Sequence, residues 1–223
     1  MTLGNIHYYN RFKYTAILIL NLTIFAIAFG YIEASIAHYL RLLYYPEGFA
    51  SELKLINSHI ILIEMGREFA TLVIIFIITQ FTKGPFYRKF SNFIFIFALW
   101  DICYYIFLYI FEKWPISLYT WDVLFLIPVP WLAPVIVPIT ISLIGISGTL
   151  IIHISYIIKG NLKFNWPVIM LICISLILWI ISFIYYPDKN TFPKNYKWFL
   201  FYPGIISASI SYMYLIKINF LNK

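Results

Sequence analysis

The sequence predicts an all-α integral membrane protein, a six-transmembrane helix bundle forming one transmembrane domain over residues 1–223, with a Pro-rich segment before the fourth span. Three observations carry this. Of the 223 residues, 62% are hydrophobic and 11% are charged, whereas a soluble domain carries about a quarter charged residues. The apolar residues gather into runs that, at a rise of about 1.5 Å per residue, cross a hydrocarbon layer of about 30 Å. The connections between runs are too short to hold a soluble domain.

The first span covers Tyr14–Tyr44. It is longer than the apolar region of a signal peptide and lacks a small-residue cleavage site, so it reads as a retained helix. Ala26, Gly30, Ala34 and Ala37 form a small-residue stripe suited to close helix packing, flanked by Glu33 and His38. The second span, Leu55–Thr82, places Asn57, Glu64, Glu68 and Thr71 on one stripe with Arg67 beside it. His59 is rotated away from that stripe. On the third span, Phe90–Phe111, Asp101, Tyr104 and Tyr105 share a face.

The next stretch, Trp114 to Pro138, breaks the helical pattern. Pro128, Pro130, Pro134 and Pro138 are too closely spaced for one regular helix, and Val123–Ile127 is too short to span. The expectation is a short amphipathic or re-entrant piece, a turn at Pro128–Pro130 and a kinked fourth span. The other reading is an interfacial loop anchored by Trp114, Trp121 and Trp131. The remaining spans are Trp131–Ile158, Pro167–Tyr186 and Trp198–Ile216. His153, near one end of the fourth, reads as a snorkelling interface residue, and Cys103 and Cys173 as small buried hydrophobes rather than a disulfide or metal pair.

Orientation follows from the basic residues. Arg11, Lys13, Lys83, Arg88, Lys89, Lys159, Lys163, Lys217 and Lys223 outnumber Arg41, Lys54, Lys113, Lys189, Lys194 and Lys197 on the opposite side. Both termini are therefore expected to face the cytoplasm, with the protein in the cell (cytoplasmic) membrane. The formal charge of +7 is spread over loops and tails and is no nucleic-acid footprint. The expected partner is the bilayer, with a hydrophobic small molecule, a second copy or a partner subunit as further partners.

The informative chemistry is acidic. Glu68 lies about 22 Å along its helix from Lys83, and Asp101 about 18 Å from Lys89, so both fall deep in the membrane. Glu33 comes out level with Glu64, and Asp122 enters from the same side. These five carboxyls face one basic residue at comparable depth, Arg67, which can hold one or two of them. The others must be protonated, hydrated or bound to a cation. Intramembrane ionisable groups are rarely kept without a role.

Three functions fit. The first is a metal-dependent membrane enzyme acting on a lipid-soluble substrate. Its divalent metal ion, iron or manganese, would sit on Glu33, Glu64, Glu68 and Asp101, with His38 and His59 as further ligands. Arg67 would orient an anionic group, and Tyr104 or Tyr105 would donate a proton. The Glu-x-x-His pair of di-iron bundles is absent. The second is an ion- or proton-coupled transporter using the same carboxylates. The third is a non-catalytic subunit whose Arg67–Glu64–Asp101 network fixes helix register. No P-loop, Gly-x-Gly-x-x-Gly or Gly-x-Ser-x-Gly motif is present, so nucleotide use and serine hydrolysis have no support.

Overall fold

The computed structural model describes residues 3–44, 58–186, 193 and 195–221. The chain folds as α1 (Leu3–Tyr44), α2 (Ser58–Gln80), α3 (Phe86–Glu112), β1 (Trp121–Phe125), β2 (Trp131–Pro134), α4 (Ile136–Lys159), α5 (Trp166–Ile184) and α6 (Trp198–Ile216). A π-helical turn, Lys217–Leu221, extends α6. Five helices, α1, α3, α4, α5 and α6, are long and apolar enough to cross a membrane, and the chain is an integral membrane protein. The 23-residue α2 is also long enough, at about 34 Å, but it carries Glu64, Arg67 and Glu68.

α1 and α3 run parallel. Tyr14 lies beside Arg88 at one end, and His38 and Arg41 meet Glu112 at the other. The small-residue stripe is what brings them together. A Cβ added at Gly30 would stand 2.7 Å from the Cβ of Cys103, and Ala26 and Ala34 are fully buried. α2 returns antiparallel beside them, with the Lys83 N–H donating to the Tyr14 hydroxyl (3.0 Å) and Arg67 reaching Glu33. α4 runs antiparallel to α3, pinned by the Thr149 hydroxyl on the Ser91 carbonyl (2.9 Å). α5 and α6 form an antiparallel pair. Ser207 and Ser211 donate to the Leu171 and Val168 carbonyls (2.8 and 3.1 Å), and the Trp179 indole packs on Gly204.

The segment before α4 adds a small β element to the helical bundle. It is an antiparallel β-hairpin, with Asp122 opposite Ala133 and Val123 opposite Leu132, and with a register irregularity between Val123 and Phe125. β-branched and aromatic residues favour the pleated backbone, and Pro128 and Pro130 fall in the turn, where no ladder N–H is required. The fourth helix accordingly begins at Ile136, not Trp131. Pro138 sits in its first turn, where a missing N–H costs nothing. Leu132 and Ala133 bury against Trp179 and Phe183. Near the tip, Phe125 packs against Phe97 and Trp100 (ring centroids 6.0 and 6.4 Å apart), close to the middle of α3. The hairpin therefore dips into the bundle rather than lying across its end. The other large shifts are at helix starts, with α1 beginning at Leu3 and α3 at Phe86.

Charge separates the two ends. Where α1 begins, the α2–α3 turn lies and α4 ends, the described residues include Arg11, Lys13, Lys83, Arg88, Lys89, Lys159 and Lys163 and no acid. Every described acid lies in the other half, the acidic half.

Candidate functional site

Three helices and the hairpin bring polar side chains together in the acidic half. On α2, Glu64 and Arg67 are one turn apart, and the Arg67 Nε donates to Glu64 Oε2 (2.8 Å). The same guanidinium reaches across to Glu33 on α1. Arg67 thus joins two carboxylates from two helices, as a planar fork can.

A second cluster lies nearer the end of the bundle. Arg41 on α1 binds Glu112 at the end of α3 and stands 3.5 Å from Asp122 on β1. Its guanidinium stacks on Trp114, 3.7 Å from the ring centroid. His38 pairs with the other Glu112 oxygen (2.9 Å), and the Tyr105 hydroxyl donates to Asp122 (3.0 Å). Tyr104 stands between the clusters, within electrostatic reach of Asp122 and Arg41 on one side and of Glu33 and Arg67 on the other.

Two acids have neutral donors only. Both oxygens of Glu68 accept from the backbone N–H of Leu126 (3.1 and 2.9 Å). Leu126 follows β1 in the hairpin turn, where its N–H has no ladder partner. A buried backbone donor left unmade costs about 1–3 kcal/mol, and irregular backbone at membrane depth must be satisfied by protein. Glu68 therefore holds the hairpin tip. Asp101 accepts from the Ser142 hydroxyl on α4 (2.9 Å).

Set against the sequence, the carboxyls do share one region, but not as a single ligand sphere. Among the described residues, no group of three or more His, Cys, Asp or Glu side chains is placed to hold a metal ion. The expected set of Glu33, Glu64, Glu68, Asp101, His38 and His59 breaks up because separate donors claim its members. Arg67 takes Glu33 and Glu64, the hairpin backbone takes Glu68, Ser142 takes Asp101, and His38 turns to Glu112. His59 is exposed at the start of α2, in line with its different helical phase. Asn57 lies outside the described residues. In the expected Arg67–Glu64–Asp101 network, Glu33 stands in place of Asp101.

Arg67 is also not the one base at this depth. Arg41, 9% exposed, belongs to α1 rather than to a loop. Sequence reasoning missed it together with Glu112, although both can be found by helical phase. Arg41 follows His38 by three residues, and Asp101, Tyr105, Leu108 and Glu112 repeat at four, three and four on one face.

The other half of the bundle is polar too, on α3 and α4. His153 is 2% exposed, and its Nε2 meets the Asn92 amide oxygen (2.8 Å), while Asn92 donates to Thr82 (3.0 Å). The snorkelling reading of His153 is therefore corrected: the ring lies between helices, held by an amide that the sequence reading passed over. Cys103 is buried as expected, whereas Cys173 is on the outward face of α5. Comparisons of this chain with protein-family models, with curated proteins and with solved structures find no match.

Proposed function

We propose that this chain is a six-crossing protein of the cytoplasmic membrane, with both termini inside, that binds and releases protons at its deep carboxyls as a proton-coupled carrier. One observation carries the reading. Six carboxyls (Glu33, Glu64, Glu68, Asp101, Glu112 and Asp122) share the acidic half with two guanidiniums, and both guanidiniums are engaged by other acids while Glu68 and Asp101 have only neutral donors. A carboxyl in an apolar bundle without a cationic partner is more stable holding a proton than ionised. Such a group exchanges its proton whenever water or a solute reaches it.

Six crossings are supported by the parallel run of α1 and α3, since the intervening chain has to return through the same thickness and α2 lies antiparallel between their ends. The acid-free basic end supports the cytoplasmic placement of the termini. The polar groups on α3 and α4, from Asp101–Ser142 through Ser91–Thr149 to Asn92–His153, extend from the deep carboxyls toward the basic end and support a polar route past them.

A second reading has its own observation. Arg41 ties α3 and β1 to α1, and Arg67 ties α2 to α1, which is what a register-fixing network in a non-catalytic subunit would do. Reconstitution separates the two. Full-length protein in liposomes under an imposed pH gradient, with a trapped pH dye, is expected to pass protons, and Asp101→Asn and Glu68→Gln are expected to abolish the flux. Absence of flux, or flux indifferent to both substitutions, would leave the structural reading in its place.

A further inference from the structure

We infer that the basic end of the bundle holds a binding site for a phosphate-type anion, formed by Arg11 and Arg88 around a cavity between α1 and α4. The cavity has a volume of about 540 Å³ and is lined by His7, Asn10, Arg11, Tyr14 and Tyr156. Arg88 packs on two of these lining residues, its guanidinium 3.6 Å from the Tyr156 ring centroid and 5.8 Å from that of Tyr14.

Several buried donors here have no partner in the protein. Arg88 is 2% exposed, yet its Nε and Nη2 have no hydrogen-bond partner, and neither does the buried Nε of Arg11. Thr15, next to Tyr14, is buried with its hydroxyl unpaired. Tyr14 accepts from the Lys83 N–H (3.0 Å), which leaves its own hydroxyl proton for another acceptor. A buried guanidinium with unmade hydrogen bonds is costly, and its planar fork matches a tetrahedral oxyanion better than any neutral group does. The contrast with the other two arginines decides the reading. Arg41 and Arg67 are each met by two carboxylates. Around Arg11 and Arg88 no described acid is present; among the described residues the charge of Arg88 meets only the Tyr156 and Tyr14 rings, and a bound anion would complete it.

Two sources offer this chemistry: the headgroup of an anionic phospholipid, or a free phosphate or phosphorylated solute. The cavity lies near the start of α1 and the end of α4, where a headgroup layer would meet the bundle. The inference does not rest on the proton-carrier reading, because it uses none of the same residues.

The test uses full-length protein in phosphatidylcholine nanodiscs, with or without a minor fraction of phosphatidylglycerol. Retention of phosphatidylglycerol is read by native mass spectrometry, and binding of inorganic phosphate by calorimetry. Arg11→Gln is expected to weaken binding about tenfold, the loss of charge-assisted hydrogen bonds from one fork. Lys13→Gln, which removes the same charge from an exposed neighbouring position, is expected to leave it unchanged. Arg88→Lys keeps the charge and, with an unchanged melting temperature as its folding check, is expected to weaken binding by losing the fork. Selective retention of phosphatidylglycerol identifies a lipid headgroup, and phosphate binding in pure phosphatidylcholine identifies a soluble anion. Binding of neither overturns the inference. So does binding that Arg11→Gln and Lys13→Gln weaken equally, since that would be a general surface field.

Discussion

Replacing Arg41 with Met isolates what the paired charges contribute. Met keeps an apolar stem of similar length, so the substitution removes chiefly the guanidinium. What remains is Glu112 with His38, and Asp122 with two neutral donors, the Tyr105 hydroxyl and the Val123 backbone N–H. The Arg41 side chain is 10% exposed, Asp122 4% and Glu112 19%. Breaking a fully buried pair costs about 3–5 kcal/mol, mostly from the stranded charge. The partial exposure of Glu112 and the 3.5 Å separation from Asp122 place this case at the low end, about 3 kcal/mol. The lost stack on Trp114 contributes about 1 kcal/mol of that. Reversible unfolding in mixed micelles, followed by tryptophan fluorescence, measures the loss. Adding Glu112→Gln and Asp122→Asn to Arg41→Met removes the stranded charges and is expected to restore most of the stability. A single variant within about 0.5 kcal/mol of the parent, the range of ordinary surface substitutions, would refute the reasoning, because the cluster would then be hydrated and weakly coupled.

Further outcomes follow from the packing and the orientation. Gly30→Val drives a side chain into Cys103 and is expected to cost about 1–3 kcal/mol in the same assay, whereas Gly66→Ala, where a Cβ meets nothing within 4 Å, is expected to hold or gain stability. Glu68→Leu strands the Leu126 N–H at a cost of about 1–3 kcal/mol. Hydrogen exchange should then report faster exchange in the hairpin turn, while α5 and α6 remain protected. Single-cysteine variants at Lys89 and Lys163 should react with an impermeant maleimide only after cells are opened, and those at Lys113 and Lys197 in intact cells. The reverse pattern would invert the topology.

Much of this architecture can be read from residues alone, for physical reasons. Helices in lipid satisfy their own backbone, so run length and charge sparsity locate them. The Ala26–Gly30–Ala34 stripe announces a close contact because small residues have few other uses there. The hairpin was harder to read. Its prolines exclude a helix, but whether Val123 and Leu132 pair depends on tertiary placement, with Glu68 holding the turn and Trp179 and Phe183 covering one strand. The pairing within the site was harder still. Arg67 could be matched with Glu64 by spacing, but its second partner depended on how α1 packs against α2, and that selected Glu33 over Asp101. Arg41 and Glu112 escaped because each lies near a helix end, where a charged residue reads as facing the headgroups until the packing of α1 against α3 is known. Arg88 and Asn92 escaped for a related reason, since interhelical polar contacts leave no periodic mark in the sequence.

Whether Glu68 and Asp101 hold protons can be read by infrared difference spectroscopy of the purified protein in lipid. Near neutral pH, carbonyl stretching bands of protonated carboxyls that shift in deuterium oxide are expected. Asp101→Asn should remove one component and Glu68→Gln another, while Glu64→Gln should leave both. A spectrum with no protonated carboxyl at neutral pH, or bands indifferent to Asp101→Asn and Glu68→Gln, would contradict protons on these two side chains.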